Sequence, residues 1–173
     1  MIQNYTRYRI LRLFFDYPTG LFQIREVCRK TNLTLPTVRN HLKALEKDGF
    51  IRKQKVTTYP SYKANPEERF QLYKRNDMIL RLHETGLIEH LNDSLHPNVI
   101  LLFGSASKGQ DHEGSDIDIF LQAKEQDMDL SQYEKTLNRD INLFFAENPK
   151  ELSEEFRNSL ANGIVLSGYL DML

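Results

Sequence analysis

Between Val99 and Leu121 the chain reads VILLFGSASKGQDHEGSDIDIFL, and this stretch limits the possible folds more than any other. Val99–Phe103 is a short apolar run of the kind expected for a buried, parallel-type strand. It runs into Gly104-Ser105, where a helix is expected to begin, and a second glycine follows at Gly109. After an acidic loop, Ser115-Asp116-Ile117-Asp118-Ile119-Phe120-Leu121 reads as a second strand. Side chains alternate along a strand, so Asp116 and Asp118 share one face while Ile117 and Ile119 take the other. Carboxylates about 7 Å apart along one face can converge on a pair of Mg²⁺ ions, which in two-metal sites lie about 3.5–4 Å apart. Gly104 lets the backbone approach a ligand closely, and the Gly-Ser turn offers N–H groups and a hydroxyl to a polyphosphate.

Gly104-Ser105, Gly109 and Ser115-Asp116-Ile117-Asp118 resemble the G-S-x-x-x-G…S-D-x-D motif of the DNA polymerase β-type nucleotidyltransferases, above all their minimal prokaryotic members. The likeness covers about Pro97 to Leu170. It implies that Asp116 and Asp118 hold two Mg²⁺ ions, while Gly104, Ser105, Gly109 and Ser115 surround the phosphates of a nucleoside triphosphate. In such enzymes an acceptor oxygen attacks the α-phosphate and expels pyrophosphate. The family's third carboxylate sits on a third strand, expected here over Arg139–Phe145, and Asn142 stands in its place. An amide oxygen can ligate a cation but brings no charge and is no base. Asp140, two residues earlier, shares that face.

The front of the chain is chemically different. Residues 1–65 hold 13 Lys/Arg against 4 Asp/Glu, a formal +9, whereas residues 97–173 hold 6 against 14, a formal −8. The basic end suits a polyanion, and the acidic end needs cations before a nucleotide is welcome. Tyr5–Tyr17 reads as a helix with Tyr8, Leu11, Phe14 and Phe15 on one face, and Pro18-Thr19-Gly20 stops it. Phe22–Thr31 reads as a short second helix with Ile24, Val27 and Cys28 inward. Thr34 can cap a third, with Pro36 in its first turn. There Val38, Leu42 and Leu45 form an apolar stripe, leaving Thr37, Arg39, Asn40 and Lys43 pointing away. Asp48-Gly49 ends it, and Phe50–Ala64 reads as a hairpin bearing Arg52, Lys53, Lys55, Lys63, Tyr59 and Tyr62.

Together, TNLTLPTVRNHLKALEKDGFIRK resembles the recognition half of winged helix-turn-helix regulators related to the arsenic- and multidrug-response repressors. That implies double-stranded DNA as partner, with Thr37, Arg39, Asn40 and Lys43 in the major groove and Arg52, Lys53 and Lys55 on phosphates. A homodimer is expected, because two-fold operators need two half-site readers.

Residues 66–96 read as a helical connector, broken near Gly86, with Phe70, Tyr73, Leu80, Leu87 and Leu91 recurring at helical steps. The expected layout is therefore a winged helix over 1–65, a connector over 66–96 and a nucleotidyltransferase-like α/β domain with a small mixed sheet over 97–173. Cys28 is the only cysteine, which excludes an internal disulfide. No run approaches membrane-spanning length and the N-terminus lacks a signal-peptide layout, so a cytoplasmic protein is expected. Two functions fit. One is a DNA-binding regulator that transfers a nucleotide, slowly, to an acceptor. The other keeps the fold without the catalysis, as a nucleotide-sensing or protein-binding, antitoxin-like module.

Overall fold

The computed structural model describes residues 5–55 and 59–170. The chain divides into two compact units, Met1–Lys74 and Arg75–Leu173.

In the first unit α1 (Thr6–Asp16) buries Ile10, Leu11, Leu13, Phe14 and Phe15, each burial worth about 1.5–3 kcal/mol relative to exposure. The second helix is shorter than expected. Phe22–Gln23 is a strand, β1, and α2 runs Ile24–Thr31. The reason is tertiary, because β1 pairs antiparallel with a strand distant in sequence, Phe22 facing Tyr62. Asn32 takes a left-handed conformation (φ 52°) and turns the chain toward α3 (Leu35–Lys47). Thr34 occupies the cap position, but its hydroxyl meets Thr37 Oγ1 at 2.8 Å instead of capping a backbone N–H. The expected stripe of α3 is buried as Val38, Leu42 and Leu45. Strands β2 (Ile51–Gln54) and β3 (Ser61–Ala64) form the antiparallel wing, in the order β1-β3-β2 among the described residues. Its tip, residues 56–58, lies outside the described residues.

Residues 66–96 contain two helices, α4 (Glu68–Glu84) and α5 (Leu87–Leu95). They part at Gly86, whose φ of 77° is open to glycine at little cost. The expected stripe is only partly the buried face. Phe70, Leu87 and Leu91 are buried, but Tyr73 and Leu80 are exposed, and Lys74, Asp77, Met78 and Leu82 are buried too. Steps of four from Phe70 reach Lys74, Met78 and Leu82, with Asp77 three beyond Lys74.

The second unit carries a four-stranded sheet, order β6-β5-β4-β7 among the described residues, from β4 (Val99–Phe103), β5 (Ile117–Leu121), β6 (Ile141–Phe145) and β7 (Ile164–Gly168). Contrary to the parallel expectation, β4 pairs antiparallel with both β5 and β7. The helix expected after Ser105 is one 3₁₀ turn, Ala106–Lys108. Without a crossover helix the chain can only return antiparallel beside β4. The parallel pair is β5 with β6, joined through α6 (Ser131–Leu137). One face of the sheet, with Ile100, Leu102, Ile117 and Ile119, packs with Leu82, Leu87, Leu91 and Leu137. The other, with Leu101, Phe103 and Phe120, packs with Leu160 and Phe156, the last two on α7 (Glu154–Ala161).

Candidate functional site

The site is built where β4 ends and β5 begins. Asp116 just precedes β5, and Asp118 lies inside it, opposite Phe103 of β4. Parallel pairing then sets Asp118 beside Asn142 of β6. The Asn142 amide reaches both acids: its Nδ2 donates to Asp116 Oδ2 at 3.0 Å and to Asp118 Oδ1 at 3.4 Å. Two carboxylates accept and cannot donate, so only the NH₂ end of the amide can serve both. The position that a third acid would occupy thus holds a group that ties the first two together.

Gly104 touches the same centre. Its φ is 68°, and a Cβ there would collide with the Asp118 carboxylate. The turn that follows is closed by its own bonds: Ser107 Oγ donates to the Gly104 carbonyl at 2.9 Å, and Lys108 N and Gln110 N donate to the Ser105 carbonyl at 3.1 and 3.0 Å. Gly109 ends it in a left-handed conformation, φ 67°. Ser115 is engaged in the acidic loop, its hydroxyl accepting from His112 N at 3.0 Å. Asp140 stands apart from the bridged triplet. It lines a cleft of about 360 Å³ with Asp116, Ser115, Glu134 and Lys135.

As a cation site the donor set is two acids and one amide. Among the described residues no group of three or more His, Cys, Asp or Glu side chains could hold a metal ion. Asp116 and Asp118 are two hard oxygen donors of the kind that a divalent cation takes, and the NH₂ group of the amide between them is not.

In the winged unit Arg39, Asn40 and Lys43 are exposed on α3, as are Lys53 and Lys55 on the wing. Thr37 is half-buried and its hydroxyl is spent on Thr34. Arg52 is exposed too, but its Nε donates to Asn65 Oδ1, and Asn65 Nδ2 donates to the Gly49 carbonyl at 2.8 Å. That guanidinium therefore braces the wing against the end of α3. Arg25, Leu35 and Tyr59, none of them expected from the sequence as a DNA contact, line a cleft of about 290 Å³ with Arg39. Their signal was a basic residue outside the recognition helix and an exposed aromatic on the wing. His41 is half-buried on α3, and burial, reinforced by the Arg7 charge, holds its pKa below the usual histidine range.

With this geometry in place, the family comparisons are specific. Residues 86–166 match the model described as polymerase beta, nucleotidyltransferase, and residues 3–52 match winged helix-turn-helix DNA-binding. The chain joins a winged helix-turn-helix to a polymerase β-type nucleotidyltransferase domain. A solved structure described as "Crystal structure of the toxin-antitoxin with AMP-PNP" is similar to part of it, at 26% identity and a TM-score of 0.39, over 50% of this chain and 73% of that one. No curated protein matches. The nucleotidyltransferase domain contains all of the bridged triplet and the Gly104 turn. Among the described residues no helix is long and apolar enough to cross a membrane.

Proposed function

We propose that the nucleotidyltransferase domain binds a nucleoside triphosphate with Mg²⁺, that it transfers the nucleotide slowly, and that the winged helix places it on DNA. One observation carries the reading: the Asn142 amide lies between Asp116 and Asp118. The two acids and the Gly104–Ser105 turn supply what holds a metal–triphosphate. Bound there, Mg²⁺ would neutralise phosphate charge. Asp116 and Asp118 would hold it, and Ser105 with the backbone beside Gly104 would hold the phosphates. The amide engages one oxygen of each acid, leaving Asp116 Oδ1 and Asp118 Oδ2 for the ion. An acceptor hydroxyl then meets no base at position 142, and general-base help of about 10²–10⁴-fold is missing.

The same observation favours, as a second reading, a domain that senses the nucleotide without transferring it. On DNA, Arg39 is placed to read guanine and Asn40 adenine, with Lys43, Lys53 and Lys55 on phosphates. A homodimer reading a two-fold site in the cytoplasm completes the proposal. Its mass would appear in sedimentation at micromolar concentration.

The deciding experiment titrates labelled triphosphate with Mg²⁺ into wild-type protein and into Asp116→Ala/Asp118→Ala. Wild type should bind and the double variant should not. Equal binding by both would remove the acids from the site. Label carried to an acceptor at about 1 s⁻¹ or faster would remove the slow-transfer claim.

A further inference from the structure

We propose that Phe144 is the platform on which the base of the bound triphosphate stacks, giving the site a preference for purine over pyrimidine nucleotides. The inference rests on the nucleotide reading above and adds to it the ligand's base. Phe144 stands two residues beyond Asn142 on β6, so its side chain leaves the same face of the sheet about 7 Å further on. The register repeats this across the sheet, with Phe120 beside Phe144 as Asp118 is beside Asn142.

The rings on this face differ in exposure. Phe120 is 0% and Phe103 6% exposed, whereas Phe144 is 38% exposed. Two neighbours fix its plane from behind. Phe103 meets it edge-on, with centroids 5.2 Å apart and planes at 72°, and Phe156 lies at 5.7 Å. Phe103 is also the residue immediately before Gly104. One aromatic unit therefore reaches from the phosphate turn to an open ring beside the carboxylates. Among the described residues β6 is an edge strand, so the sheet continues no further over that ring.

A triphosphate anchored at Gly104–Ser105 has a ribose and a flat base to place, and Phe144 offers an exposed ring on the carboxylates' face of the sheet, one pleat beyond Asn142. Stacking on one ring tolerates any base, since each has a π face. A purine gains more because it covers more of the ring.

The experiment measures Mg²⁺-dependent binding of ATP, CTP and inorganic tripolyphosphate to the full chain by calorimetry. Wild type should bind ATP more tightly than CTP, and CTP more tightly than tripolyphosphate. Phe144→Ala should weaken ATP about tenfold or more and leave tripolyphosphate unchanged. Phe144→Tyr should bind like wild type. Phe144→Leu keeps apolar bulk without a ring, so it should lose ATP affinity even where Phe144→Ala melts early. Tripolyphosphate bound as tightly as ATP, or ATP unaffected in Phe144→Ala and Phe144→Leu, overturns this inference alone. Wild type that binds neither ATP nor tripolyphosphate overturns the nucleotide reading as well.

Discussion

Asn142 carries most of the chemical meaning of the nucleotidyltransferase domain. A carboxylate in its place would add a third negative charge beside Asp116 and Asp118. The amide instead donates to both. Asn142→Asp should therefore create the missing cation ligand and proton acceptor, raising single-turnover transfer by about 10²–10⁴-fold over wild type. Unchanged transfer would mean that the acceptor has no place to bind. The motif residues were legible in the sequence because their constraints are local. Gly104 has a positive φ that favours glycine, with the Asp118 carboxylate against it, and Asp116 and Asp118 share a face because of strand alternation. The bridge made by Asn142 and the exposure of Phe144 were not legible. Both depend on the parallel register of β5 with β6 and on where the sheet stops, and spacing along one strand encodes neither.

At the scale of elements, α3 was readable because its buried stripe of Val38, Leu42 and Leu45 follows the helical period. The two-residue β1 was not, since a strand that short is defined by its partner. Nor was the 3₁₀ turn after Ser105, where the motif predicts a helix. On the proposed DNA reading, the exposed basic residues of α3 and of β2 divide by role. Arg39→Ala should cost about 1–3 kcal/mol at one base position, whereas Lys53→Ala should weaken every sequence alike and reduce the salt dependence of binding, both read from DNA titrations at several salt concentrations. His41 gives the same helix a pH response. Its folded pKa lies below the unfolded value near 6.5, so the unfolded chain binds the proton more readily. The stabilising contribution is complete above that value and is lost as pH falls through the lower, folded pKa. Denaturation midpoints recorded from pH 8 to pH 5 should therefore fall less in His41→Gln than in wild type.

At the scale of the molecule, the charge is divided between the two ends, +9 over residues 1–65 and −8 over residues 97–173. That division was visible in composition, and the winged helix-turn-helix match falls on the basic end and the nucleotidyltransferase match largely on the acidic end. The face that α4 buries was not visible. Lys74 and Asp77 are enclosed there while Leu80 is exposed, a placement that charge and hydropathy alone argue against. The bridged triplet also has a consequence for the economy of the folded state. In many metal sites the ligands repel one another until the ion arrives, so folding waits on supply and a chelator unfolds the protein. Here two amide hydrogens already stand against the two carboxylates. A thermal melt of wild type should be the same in EDTA as in Mg²⁺. Asn142→Asp should melt lower in EDTA and recover when Mg²⁺ is restored, because its three acids can rest together only around a cation. On the proposed reading, the native asparagine lets the two acids rest together before Mg²⁺ arrives with the nucleotide.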